Sequence, residues 1–201
     1  MKIVVFASGR GSNFKAIVEN IATGALTNIE VSLLLSDKPE ANVLEYAAQK
    51  NIPHVCVDRK SFDTKEAYEA ALLAEVKKVP CDLLVLAGYM RIIGADFLDQ
   101  IGCPAVNIHP SLLPSFAGLH AQKQAVDYGV KVSGCTVHFV DTELDHGPII
   151  AQVPVPVMDD DDEDSLSARI LEQEHKLYSA CLQLIADNKI TLENRCVKIE
   201  K

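Results

Sequence analysis

A short β-branched run, KIVVFA at residues 2–7, stops at Ser8-Gly9-Arg10-Gly11-Ser12, and Phe14, Ile17, Val18 and Ile21 then recur at helical spacing. This order of strand, glycine turn and helix constrains the fold more than any other feature of the chain. It repeats: IEVSLLLS (29–36) precedes a helix over 41–50, IPHVCVD (52–58) precedes a helix over about 63–78, and CDLLVLAG (81–88) and CPAVNIHP (103–110) read as further strands. Near-continuous apolar strands alternating with helices predict an α/β fold, an open, mostly parallel Rossmann-like sheet with helices on both faces.

The second half changes character. His109-Pro110-Ser111-Leu112-Leu113-Pro114-Ser115-Phe116 reads as a loop, because the residue before a proline disfavours the α region. A helix is expected at about 118–128. The Val-rich runs 131–140 and 148–157, separated by DTELDHG, predict an antiparallel extension of the sheet. A last helix should start near Glu163–Ser165 and run to about Asp187, with Leu166, Ile170, Leu177, Cys181, Leu184 and Ile185 on its inner stripe.

At 201 residues the chain can bury about 70% of its unfolded surface, so no disulfide or metal is needed for a core. The six cysteines form no C-x-x-C pair and most sit among apolar neighbours, which predicts buried thiols in a reducing cytoplasm. No apolar stretch reaches membrane-spanning length. A net charge of −9 without a basic stripe argues against a nucleic-acid partner. The acidic run 159–164 reads as a solvated loop whose last acids favour a helix start; a Ca²⁺ loop would need alternating ligands and a turn glycine.

Three constellations point to chemistry. The turn at Ser8–Asn13 lies between a strand and a helix, where free N–H groups and the helix dipole suit an anion. Phe14 stands where a dinucleotide fingerprint wants a third glycine, and no Gly-Lys-Ser/Thr is present, so a monophosphate fits better than NAD or ATP. The bland alternative is a tight turn capped by Ser12. Strand alternation puts Asn107 and His109 on one face at a strand's carboxyl end, where an amide and a protonated imidazole would suit an oxyanion. Asp145, in the connection Leu144–Pro148, would keep that imidazole protonated if it folded back on it; alone it reads as a turn residue. The other histidines show no metal-ligand spacing, and no nucleophile elbow is present.

Together, SGRGSN (8–13), AGYMRII (87–93), NIHPSLLPSFAGLHA (107–121), FVDTELDHGPIIAQ (139–152) and QEH (173–175) strongly resemble the folate-dependent formyltransferase family, over about residues 1–190. The resemblance is to the branch acting on glycinamide ribonucleotide in purine biosynthesis. It implies one domain over 1–201, with a phosphate-binding lobe over about 1–100 and a catalytic, folate-binding lobe over about 101–190. It implies transfer of the formyl group of 10-formyltetrahydrofolate, a co-substrate, to the ribonucleotide's amine without a metal, in a cytoplasmic monomer or homodimer. Gly11, Ser12, Asn13 and Glu174 would hold the ribonucleotide. Lys65, Met90, Arg91, Ile92, Ile93, Asn107, Asp141, Thr142, Glu143, Leu144 and Asp145 would meet the folate. Asn107, His109 and Asp145 would carry the catalysis.

Some positions depart from the family's pattern. His146 stands where two glycines often follow the aspartate, and so needs a tolerated backbone conformation; Leu171 replaces an amide; Lys65 replaces an Arg, losing a bidentate contact. Two rivals remain at this level. A dehydrogenase would use the glycine turn and Asp37, and a non-catalytic binding module would use everything except His109 and Asp145.

Overall fold

Apolar runs without a polar face belong in a sheet covered on both sides. The computed structural model, which describes residues 1–200, places them there. β1 (Lys2–Phe6), β2 (Glu30–Ser36), β3 (His54–Cys56), β4 (Leu83–Leu86), β5 (Ala105–His109), β6 (Val132–Phe139) and β7 (Ile149–Pro156) form a seven-stranded sheet in the order β3-β2-β1-β4-β5-β6-β7. β1 pairs in parallel with β2 and β4, and β2 with β3, whereas β6 and β7 are antiparallel. The chain divides into two compact units, one ending at Val106 and the other beginning at Asn107.

In the first unit, Ile3–Phe6 and Leu83–Val85 are fully buried, each side chain contributing about 1.5–3 kcal/mol over its exposed state. The helices α1 (Ser12–Ala22), α2 (Asn42–Gln49), α3 (Lys65–Val76) and α4 (Ala95–Ile101) separate the strands, as parallel pairing requires. Backbone bonds from Ala7 to Leu35 and from Ser8 to Gly88 tie the carboxyl ends of β1, β2 and β4 together, so the glycine turn leaves from a rigid edge.

In the second unit, α5 (Ala121–Tyr128) and α6 (Glu163–Ala186) accompany the β6–β7 pair, and β8 (Ile190–Glu193) and β9 (Cys196–Ile199) make a separate hairpin. Leu166, Ile170, Leu177 and Cys181 are buried on α6 as the periodicity predicts, while Leu184 and Ile185 are only half-buried. The acidic run is mostly exposed and its last acids open α6, as expected; only the Asp161 side chain is buried. Asp162 caps α6 in a capping box with Ser165, and Asp161 takes Arg169 at 2.6 Å; that contact holds the Asp161 carboxyl well below the usual range.

Two elements were not anticipated, and the reading of the cysteines needs correction. The short helix α4 buries only Phe97, so it leaves no apolar stripe to read. The β8–β9 hairpin has residues exposed on both faces, so no alternation announces it; Asn194 turns it at φ 55°. Only Cys135 and Cys181 are buried; Cys56, Cys81 and Cys103 are half-buried and Cys196 is exposed.

Candidate active site

Gly11 is the N-cap of α1 at φ 68°, and a Cβ there would overlap the Val43 side chain. Ser12 is the first helical residue and Gly11 the cap, so the turn is not capped by Ser12. Gly11 has no side chain to cap the first turn, and Gly9 opens on free space, so the turn's backbone is open to an approaching anion. Asn13 is buried behind it.

In the same unit, the Met90 N–H donates to Ser8 Oγ at 2.8 Å, anchoring Met90–Ile93 to the glycine turn. Met90 and Ile92 are 56% and 59% exposed, leaving an apolar surface, whereas Ile93 is buried. Arg91 Nε donates to the buried Asp37 at 2.7 Å, so the carboxylate that a dehydrogenase would use for a ribose holds a guanidinium instead. Lys65 lies 3.5 Å from Glu69, which also accepts the Gly94 N–H at 2.8 Å.

In the second unit, β5 carries His109 to its end, and four side chains converge there. His109 Nδ1 lies 3.3 Å from Asp145 Oδ2, and its Nε2 lies 2.8 Å from the Phe116 carbonyl. Both ring nitrogens face acceptors, an arrangement that the doubly protonated ring satisfies completely. Asp145 Oδ2 also accepts the Gly118 N–H at 2.8 Å. Asn107 Nδ2 lies 3.2 Å from His138 Nε2, and Asp145 Oδ1 lies 3.9 Å from that same nitrogen. His138 Nδ1 faces the Phe139 carbonyl at 2.8 Å and carries the proton, so Nε2 accepts from Asn107. Burial pushes His138 below its ordinary value, against the Phe139 carbonyl and Asp145, which oppose the shift. His138 belongs to the constellation and sequence reasoning missed it, having considered it only as a metal ligand. The available signal was a histidine inside an apolar strand.

Local backbone geometry aims these groups. Asp145 sits at φ 50°, and a Cβ on Gly147 would overlap the Phe139 carbonyl. The left-handed residue is therefore Asp145, and His146 needs no special conformation, contrary to expectation. The proline-rich loop is pinned where Leu113 N–H donates to Thr136 Oγ1 at 3.1 Å, Thr136 donates to Ser111 O at 2.7 Å and Gln152 donates to Leu113 O at 2.9 Å. Leu113–Pro114 is cis.

The remaining predicted residues are more peripheral. Asp141 takes the Glu143 N–H at 3.0 Å and faces His146 Nδ1 at 3.0 Å, and Thr142 and Glu143 are exposed. Leu144 is 53% exposed. Glu174 is buried on α6, close enough to Cys135 to help raise that thiol. Among the described residues, no group of three or more His, Cys, Asp or Glu side chains could hold a metal ion, and no helix is long and apolar enough to cross a membrane.

Residues 1–182 match the Formyl transferase family. The chain is 43% identical over 182 residues to the phosphoribosylglycinamide formyltransferase of Bacillus subtilis (strain 168), covering 90% of this chain and 93% of that one. It is also 43% identical over 187 residues to the trifunctional purine biosynthetic protein adenosine-3 of Drosophila melanogaster, covering 92% of this chain but 14% of that protein. The crystal structure of glycinamide ribonucleotide transformylase 1 from Symbiobacterium toebii matches with a TM-score of 0.96 at 39% identity, covering 100% of this chain and 94% of the other.

Proposed function

The chain belongs to the formyl transferase family, and from that premise we propose that it transfers the formyl group of 10-formyltetrahydrofolate to the amine of glycinamide ribonucleotide. The observation that carries this reading is the contact of Asp145 with His109 Nδ1 at 3.3 Å, beside an amide held by a neutral histidine.

The uncharged amine attacks the formyl carbon. The oxygen of the tetrahedral adduct takes hydrogen bonds from His109 Nε2–H, in the place now filled by the Phe116 carbonyl, and from the Asn107 N–H that His138 does not use. Asp145 holds the ring's orientation and takes part in moving the amine's proton toward the folate nitrogen, which leaves as the C–N bond breaks. General acid–base help of this kind is worth about 10²–10⁴-fold.

Gly11, Ser12 and Asn13 are assigned to the ribonucleotide phosphate, and Glu174 to the rest of that substrate. The exposed Met90 and Ile92 suit the flat apolar ring system of a folate, and Arg91 and Lys65 its carboxylates. Ile93 backs that segment from the interior. Leu144, exposed in the loop Asp141–Asp145, is assigned to the same substrate.

The test is direct. Purified protein mixed with glycinamide ribonucleotide and 10-formyltetrahydrofolate should release deformylated folate at a rate that depends on the ribonucleotide. Release at the same rate without the ribonucleotide would replace transfer by hydrolysis.

A further inference from the structure

Cys81 and Cys103 lie 22 positions apart in sequence, yet their sulfurs are 3.3 Å apart. Cys81 sits in the connection between α3 and β4, and Cys103 follows Gly102, which closes α4 at φ 71°. Both cysteines are half-buried, so a small reagent can reach them. They precede β4 and β5, at the opposite strand ends from the glycine turn and Met90–Ile93. A disulfide needs an S–S distance of about 2.05 Å, a closure of little more than about 1 Å from the present geometry.

We propose that Cys81 and Cys103 are a redox modification site, closed to an intramolecular disulfide by a small hydroperoxide and reopened by a thiol reductant. The two thiols are unequal. The hydrogen bond from Cys81 and the backbone N–H of Leu84 hold Cys103 below the ordinary thiol range, while Cys81 is raised. Cys103 is therefore the attacking thiolate. Its sulfur takes the terminal oxygen of the hydroperoxide as the O–O bond breaks, giving a sulfenic acid and an alkoxide or hydroxide that is protonated as it leaves. Cys81 sulfur then attacks Cys103 sulfur, and the departing hydroxide takes the Cys81 proton as water. Two electrons pass from the sulfurs to the O–O bond, and the products are one disulfide, one water and one alcohol or second water.

The remaining cysteines explain why the reaction selects this pair. Burial pushes Cys135 and Cys181 up to about 12, and burial with nearby Asp58, Asp37 and Glu40 raises Cys56. Cys196 is exposed on a hairpin that carries no second cysteine. A closed bridge ties the entries of two adjacent core strands and restricts the unfolded chain, so the oxidised protein should melt at a higher temperature.

The experiment uses the full chain carrying Cys196→Ser, treated with equimolar hydrogen peroxide, quenched and digested with trypsin without reduction. Cleavage after Lys78, Arg91 and Lys123 puts the two cysteines on separate peptides, 79–91 and 92–123. The expected product is one cross-linked pair of those peptides, lost on dithiothreitol treatment, with a raised melting temperature and unchanged formyl transfer. In a Cys81→Ser protein, oxidation should stop at a dimedone-trappable sulfenic acid on Cys103. Sulfinic acid on Cys103 with Cys81 present, cross-linking to another cysteine, or unreacted thiols at both positions would each overturn the proposal.

Discussion

The Asn107 carboxamide donates from Nδ2 to Nε2 of His138 across 3.2 Å, and under the proposed mechanism this bond decides which end of the amide would face the reacting carbon. It exists only while His138 is neutral. Replacing His138 by Ala frees Asn107 to rotate, and loss of one ordinary orienting hydrogen bond predicts about a tenfold fall in kcat with little change in KM. Steady-state kinetics on His138→Ala check this; a change confined to KM would place His138 outside the chemistry.

The same residue predicts an acid-side loss of stability. Its folded value is depressed, so the unfolded chain binds a proton first as the pH falls. Its contribution is complete above the ordinary histidine value of about 6.5, and it is lost as the pH falls through the lower folded value. Urea unfolding from pH 7.5 to 5 should show a steeper decline for the parent protein than for His138→Gln, whose side chain does not titrate. Parallel curves would remove His138 from the acid response.

His109 and Asp145 should act as a unit. His109→Ala should cost about 10²–10⁴-fold in kcat while calorimetry still detects substrate binding. If Asp145 works through the ring, adding Asp145→Asn to His109→Ala should cost little more, because groups acting together are strongly non-additive. Fully multiplicative losses would mean that Asp145 acts independently of the imidazole.

That the sheet is mostly parallel and covered was legible from local pattern alone, because β1 and β4 are apolar on both faces; the order of its strands was not, since it depends on pairings between distant segments. Asn107 and His109 were legible from alternation at a strand end. Asp145 could be named but not placed: its partner is 36 positions away, and its φ of 50° belongs to a turn in which Gly147 passes tightly by the Phe139 carbonyl. His138 was hidden for the same reason, since Asn107, 31 positions back, gives it meaning. The helix α4 and the β8–β9 hairpin bury too little to leave a periodic signal.

The glycine turn predicts a stability effect with a built-in rescue. Gly11→Ala must place a methyl group against Val43 in a left-handed conformation that costs an L-residue about 1–2 kcal/mol before any clash. Adding Val43→Ala removes the steric part and leaves the backbone part, so the double variant should recover some but not all of the lost stability. Thermal melts of the three proteins measure the division; no recovery would show that Val43 is not the obstacle.

Positions 146 and 147 should behave oppositely despite being neighbours. His146 is half-exposed, pairs with Asp141 and is not at positive φ, so His146→Gly should change kcat less than about threefold, in keeping with the small worth of exposed ion pairs. Gly147 has no room for a Cβ, because the obstacle is the Phe139 backbone carbonyl rather than a movable side chain. Gly147→Ala must therefore displace the turn that carries Asp145, and a displacement of about 1 Å at a reacting group can cost about 10²-fold. Comparing kcat and melting temperature for the two variants separates misplacement from unfolding: Gly147→Ala should lose activity at temperatures where it is still folded. If His146→Gly were instead the more damaging change, the imidazole at 146 would have to be added to the groups that act on the substrate.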